Sequence, residues 1–351
     1  MGRPRAAVVG TGFGARVHVP ALRAAGFDVV ALVGTDADRT ARRAARVGVE
    51  RAETDLAAVL ADVDAVTIAT PPAEHKLLAL AAIRAGRHLI VEKPFTLTTN
   101  EARDLVHAAD QAGVTALVGH EFRWATDRAV LGRAIADGRI GTPRLATLVQ
   151  YVPLVADPAI RMPGWWFDRR LGGGWLGASG SHVVDQVRVW LGDFATVSAQ
   201  TGLVSERNVT ADDSFTVRAR LRNGCDVVLQ QSAGAWGAPA GLTRVAGDRG
   251  TVWLEDGDVL LANADGTETL PVPADLALPA PPPISEVPAQ AYTHLEIGPY
   301  TRLCEALRAG VDGTGLPTAV PVPTFADGLA GMQVLDAIRA SAAADGARVN
   351  V

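Results

Sequence analysis

The run AAVVGTGFGARVH near the N-terminus constrains this chain more than any other segment. Ala6 to Val9 read as a short buried strand, and Gly10 and Gly12 follow at once, with Ala15 at a third small position before a helix. Gly10 permits the tight turn, Gly12 lets a pyrophosphate approach the backbone, and Ala15 allows close packing of helix on strand. Gly10, Thr11, Gly12, Phe13 and Gly14 are therefore candidate cofactor-binding positions. A glycine turn with no ligand is the bland alternative. The strand–turn–helix setting, at the head of an alternating α/β half, argues against it.

That half runs to about residue 120. Strand candidates at Ala6–Val9, Val29–Val33, Ala65–Ala69, His88–Val91 and Ala116–Val118 alternate with helical spacing over Arg39–Arg46, Ala73–Ala85 and Asn100–Ala112. Such alternation predicts a doubly wound parallel sheet. After Glu121 the rhythm changes to a helix over Asp127–Ala136, a strand over Arg144–Tyr151, and consecutive strands from Val197 to about Val272, which predict an antiparallel sheet. A chain of 351 residues exceeds what one core supports. The division is thus 1–122, an α/β Rossmann domain, and 123–351, an α+β domain with a large, mostly antiparallel open sheet, the last helix being free to pack back on the first domain. The seven prolines between Pro271 and Pro288 predict an extended loop, and helices are expected over Tyr300–Ala309 and Ala326–Ala343.

Composition removes several function classes. The net charge of −5, with no basic run, argues against nucleic acid. Cys225 and Cys304 are too few for a disulfide framework and lack C-x-x-C spacing, and no histidine and carboxylate set has metal spacing, so no metal is expected. The absence of a long apolar stretch argues against a membrane span, and a cytoplasmic location is expected.

Cofactor choice depends on the end of the second strand, where an acid would bind the adenosine ribose. Gly34 and Thr35 stand there, Asp36 comes late, and Arg39 follows on the helix. A missing carboxylate and an available guanidinium favour NADP over NAD, the alternative being that Arg39 and Arg42 only solvate a helix face.

The glycine loop together with ATPPAEH at 69–75, AGRHLIVEKPF at 85–95 and GGGWLGASGSHVVD at 172–185 resembles the glucose-fructose oxidoreductase / inositol dehydrogenase / MocA (Gfo/Idh/MocA) family over nearly the whole chain. The resemblance implies an enzyme that moves a hydride between NAD(P) and a carbinol or carbonyl carbon of a sugar, cyclitol or similar hydroxylated small molecule. It also implies a homodimer or homotetramer assembled through the open sheet. Lys93 would hydrogen-bond the reacting oxygen, Thr70, Pro71, Pro72 and His75 would line the nicotinamide ribose, and Glu92 and Arg123 join the cofactor set.

A second line of reasoning about Lys93 needs no family. Of 33 Lys and Arg residues only Lys76 and Lys93 are lysine, and an amine at the C-terminal edge of a parallel strand can exchange a proton near neutrality where a guanidinium cannot. His182 and Asp185, three apart on one helix face, are the matching candidates of the second domain, with Trp165 and Asp168 as further substrate candidates. The family's aspartate four residues before the histidine is replaced by Ala178. That departure keeps a non-catalytic dinucleotide-binding regulator open, and the resemblance itself implies a further alternative, a glycosidase or lyase using a tightly bound NAD transiently.

Overall fold

The computed structural model describes residues 2–284, 293–317 and 319–351, so Pro288 and Tyr292 lie outside the described residues. The chain forms two compact units, one joining Met1–Trp124 to Leu278–Leu329 and the other Ala125–Ala277 to Ala330–Val351. The boundary falls two residues beyond the one read from the sequence, and 278–329 belongs with the first unit.

In the first unit, β1 (Arg5–Val9), β2 (Asp28–Val33), β3 (Arg51–Glu53), β4 (Ala65–Ile68), β5 (His88–Val91) and β6 (Ala116–Val118) form a parallel sheet in the order β3-β2-β1-β4-β5-β6. The central strands carry almost unbroken apolar runs because both sheet faces are covered. The short edge strand β3 was not expected, since Arg51-Ala52-Glu53 has no apolar signature. Helices α1 (Val19–Ala24), α2 (Ala37–Arg46), α3 (Pro72–Arg84) and α4 (Thr99–Ala112) alternate with the strands. Local chemistry sets their ends. The Thr98 hydroxyl accepts from the Glu101 backbone at 3.3 Å while Glu101 accepts from the Leu97 backbone at 3.0 Å, and Gly113, at φ 65°, ends α4 in the left-handed region.

The second unit holds α5 (Thr126–Ala136), β7 (Pro143–Tyr151), α6 (Ser181–Leu191), β8 (Phe194–Gly202), β9 (Ser214–Leu221), β10 (Asp226–Ser232), β11 (Ala240–Gly247), β12 (Gly250–Glu255), β13 (Asp258–Asn263) and β14 (Gly266–Thr269). Its described sheet has the order β14-β13-β12-β11-β7-β10-β9-β8-β15, where β15 is Val349–Asn350. The pairing is antiparallel except between β7 and β10. Strict alternation on β9 buries Phe215, Val217, Ala219 and Leu221 and exposes Thr216, Arg218 and Arg220. Leu145, Val228 and Leu242, on three neighbouring strands, stand exposed.

The chain then returns to the first unit through α7 (Thr293–Asp312), which starts earlier than the Tyr300 expected and carries Pro299 inside it. It packs on α1 and on the turn Glu121–Trp124. Helix α8 (Phe325–Ala343) follows, and its Phe325 ring lies 4.5 Å from that of Phe95. Gly328 is needed beside them, because a Cβ there would stand 2.6 Å from the Phe95 ring. Phe95 is thus the apolar anchor of the returning segment. Phe95→Ala is expected to lower unfolding stability by about 3–5 kcal/mol, read as a reduced urea midpoint.

Candidate active site

The glycine loop is shaped by backbone approach. Gly10, at φ +115°, donates its N–H to the Val33 carbonyl at 2.9 Å, and a Cβ there would fall 2.2 Å from the Ala69 carbonyl oxygen. Gly14 has a packing role, with a Cβ at its position meeting Val8 at 2.8 Å. At Gly12, by contrast, a Cβ would meet nothing within 4 Å, which leaves open backbone above the loop. Two guanidiniums border this cradle. Arg43 donates to the Thr11 carbonyl at 2.9 Å and hydroxyl at 3.0 Å, and Arg16 is held below the usual guanidinium range by burial and then by the charge of Arg43. Open backbone with cations beside it fits an anionic pyrophosphate. Gly14–His18 forms a π-helical turn that runs into α1, a feature frequent at functional sites.

At the end of β2, a side chain on residue 34 has no room. A Cβ on Gly34 would stand 2.4 Å from the Thr40 hydroxyl and 2.6 Å from the Thr11 methyl. The Asp36 carboxylate is committed to capping α2, accepting from the Arg39 backbone at 2.7 Å. The Arg39 guanidinium instead donates to the Thr35 hydroxyl at 3.1 Å, and both residues are exposed.

Thr70 follows β4, and Pro71 and Pro72 open α3. His75 and Arg123, expected beside the cofactor, are buried and committed elsewhere. The His75 ring lies 3.0 Å from the Thr70 carbonyl and 3.2 Å from those of Pro94 and Phe95, so it latches the segment after β5 to the turn after β4, and burial pulls its pKa down. Arg123 donates to the Pro321 carbonyl at 3.1 Å and lies 3.4 Å from Asp327, which makes it an anchor for the returning chain. The Lys93–Pro94 peptide is cis.

Glu92 is the polar centre of this unit. One carboxylate oxygen lies 3.2 Å from His18 Nε2, and the other accepts from the Lys93 backbone at 3.3 Å. The His18 ring stacks on Tyr300 of α7 at 4.3 Å, and Phe13 meets His18 edge-on at 5.4 Å. Burial pushes the Glu92 carboxyl up, but hydrogen bonding and charge from His18 and the charge of Lys93 together hold it below its ordinary value. Tyr300 is fully buried, and its phenol is pushed well up by burial and by the Glu92 charge.

In the second unit, His182 and Asp185 are buried on α6. A π-helical turn, Leu176–Gly180, leads into that helix, and Asp212 holds its start, accepting from the Leu176 backbone at 2.7 Å. Burial raises the Asp212 carboxyl. Ser179 donates to Gln231 at 2.8 Å. The glycine cluster exists for close approach, since a Cβ on Gly173 would stand 2.4 Å from the Trp165 carbonyl. The Gly173 and Gly174 N–H groups donate to the Asp168 and Trp166 carbonyls at 3.1 and 3.0 Å, so the Trp165–Asp168 segment is sewn to the segment bearing His182. The Asp168 side chain accepts from Arg170, whose hydrogen bonds hold it low, and Trp165 is half-buried.

The description "Oxidoreductase family, NAD-binding Rossmann fold" matches residues 4–120, and "GFO/IDH/MocA C-terminal domain" matches residues 129–253. The chain is 32% identical over 294 residues to the D-apiose dehydrogenase of Paraburkholderia graminis, covering 81% of this chain and 74% of the relative. It is 32% identical over 273 residues to the 1,5-anhydro-D-fructose reductase of Ensifer adhaerens, covering 74% and 80%. The chain belongs to the Gfo/Idh/MocA oxidoreductase family.

Two solved structures share the fold. An oxidoreductase domain protein from Kribbella flavida superposes with TM-score 0.85 at 25% identity over 100% of both chains. A levoglucosan dehydrogenase, in complex with NADH and L-sorbose, superposes with TM-score 0.85 at 24% identity over 99% of both. As a Gfo/Idh/MocA member the protein is a nicotinamide-dependent oxidoreductase acting on CH–OH groups.

Sequence reading missed Arg43, His18 and Asp212. Arg43 alone had a usable signal, lying four residues after Arg39 on one helix face. The depressed Glu92 carboxyl gives stability that is present above the unfolded-state value near 4.5 and is lost as pH falls through the lower folded-state value. Thermal melts should therefore show wild type more stable than Glu92→Gln at pH 7, with the gap closing as pH falls below about 4.5.

Proposed function

We propose that the protein is a dehydrogenase or reductase for a sugar, cyclitol or similar hydroxylated small molecule, with Lys93 at the reacting oxygen. The observation that carries the reading is the placement of one amine, in a chain with two lysines, directly after β5 and beside the buried Glu92, while Lys76 is tied to Asp104 at 2.7 Å. The bound nicotinamide supplies the hydride acceptor or donor. Lys93 orients the substrate oxygen through Nζ and exchanges its proton as the carbon changes between carbinol and carbonyl. His182, oriented by Asp185, is the proton partner assigned to the second unit, and the half-buried Trp165 indole is a platform for an apolar sugar face. Asp168 is committed to Arg170 and contributes through the loop it caps. The names of the relatives, an apiose dehydrogenase and an anhydrofructose reductase, support the substrate class.

Lys93→Met should lower turnover by about 10²–10⁴-fold while leaving cofactor affinity within a few-fold, and Lys76→Met should leave both alone. Unchanged turnover in Lys93→Met would overturn the assignment.

For the cofactor we favour NADP. Gly34 leaves no room for the acid that would hold a ribose hydroxyl, and Thr35 and Arg39 present a hydroxyl and a guanidinium at the same strand end. Fluorescence titration should give a lower Kd for NADPH than for NADH, and the reverse order defeats this preference. The exposed Leu145, Val228 and Leu242 support a homodimer or homotetramer formed through the sheet, and the two buried, unpaired cysteines support a cytoplasmic setting.

A further inference from the structure

His18 touches both the glycine loop and the carboxylate behind Lys93. Its ring is fully buried at the end of the π-helical turn Gly14–His18. Nε2 lies 3.2 Å from Glu92 Oε1, and because an ionised carboxylate only accepts, Nε2 is the nitrogen that carries the hydrogen. Among the described residues Nδ1 has no hydrogen-bond partner, so the polar commitment of the ring goes to Glu92. Neighbouring rings set its remaining contacts. Tyr300 stacks on it at 4.3 Å, and Phe13, between Gly12 and Gly14 of the loop, meets it edge-on at 5.4 Å and Tyr300 at 6.1 Å. The Glu92 side chain has no slack on its other side, since a Cβ on Gly119 would stand 2.6 Å from the same Oε1 and 2.9 Å from the carboxyl carbon. Wedged between Gly119 and His18, the carboxylate offers its second oxygen to the Lys93 backbone N–H at 3.3 Å.

We propose that His18 is a positioning residue for Lys93, acting through Glu92, and that its contact with Phe13 ties that position to the glycine loop. The inference rests on the reading of Lys93 given above. A lysine side chain is long and flexible, so the place its Nζ can hold depends on how firmly its backbone is held. Here the hold is a carboxylate with two fixed sides. His18 donates to one oxygen, Gly119 closes the space beside it, and the other oxygen is left aimed at the Lys93 N–H. Without the Nε2 donor, Glu92 is a buried carboxylate short of a hydrogen bond; it turns or takes a proton, and either response loosens the Lys93 N–H. Phe13 gives the arrangement a second use. It stands in the loop whose backbone is open at Gly12, so a dinucleotide that orders this loop also fixes the ring edge against His18. His18 takes no part in the transfer of hydride or proton.

The two-lysine composition supplies the test, because protein labelled with nitrogen-15 lysine shows only the backbone amides of Lys76 and Lys93 in a nuclear magnetic resonance correlation spectrum. In cofactor-free His18→Phe, which keeps a ring and loses the donor, the Lys93 resonance should move upfield and exchange with solvent about tenfold faster, with Lys76 unchanged. His18→Gln, which keeps a donor and loses the ring, should return the Lys93 resonance toward its wild-type place. Phe13→Leu should move it in the same direction as His18→Phe by a smaller amount. Should His18→Phe fail to fold, His18→Gln and Phe13→Leu carry the measurement. With a sugar or polyol that wild type turns over, His18→Phe should lower kcat by about 10²-fold at nearly constant KM, and His18→Gln should recover part of it. A merely structural histidine lowers the melting temperature and leaves the Lys93 resonance in place. That result overturns the positioning role, and a Lys93 resonance unmoved in Phe13→Leu overturns the tie to the glycine loop. The resonances are read without turnover, so a failure of the catalytic reading shows in Lys93→Met and is separable from a failure of this one.

Discussion

A carboxylate in an apolar interior must be met by donors and positive charge, and Glu92 imposes that requirement on three segments far apart in the chain. His18 comes from the turn after the glycine loop and the Lys93 backbone from the strand exit, while Tyr300 of α7, more than 200 residues away in sequence, stacks on the His18 ring. The stacking of His18 on Tyr300 and the edge contact with Phe13 carry the same constraint to the glycine loop itself. The returning segment 278–329 therefore belongs to the nucleotide-binding unit for a chemical reason. It completes the surroundings of a buried charge whose backbone neighbour is the proposed catalytic amine.

The second unit places its histidine by different means. Close approach of the glycine cluster to the Trp165–Asp168 segment, the Asp212 carboxylate at the head of a π-helical turn, and Ser179 on Gln231 of β10 fix the entry to α6. Leu176 opens this turn, so its N–H has no acceptor within the helix, and Asp212 takes it up. Ala178 lies inside the turn, so the position that carries an aspartate in the family pattern is here a small residue in a tightly packed helical entry.

Local chemistry is written in the chain with good resolution. The strands β1, β2, β4, β5 and β6 and the helices α2 to α5 fall close to their expected limits because burial on both sheet faces and helical spacing leave strong signatures. β3 and the early start of α7 escaped, one because an edge strand needs no apolar run, the other because a proline inside a helix argues locally against it. The polar residues near the motifs were harder to assign. His75 and Arg123 lie in the right segments to meet a cofactor, yet both point into the protein, and nothing in their local sequence distinguishes a latch from a ligand contact.

The sequence by itself determined the alternation of strand and helix, the glycine loop, the missing acid at Gly34 and the singular position of Lys93, since each depends on a residue type and its immediate neighbours. Tertiary structure alone decided that Gly34 has no space for a side chain, that His75 and Arg123 are committed to the protein's own backbone and carboxylates, and that Glu92, His18 and Tyr300 share one buried neighbourhood. These are questions of proximity between groups up to nearly 300 positions apart. Burial and charge act through space, and only the folded chain brings such groups within their range.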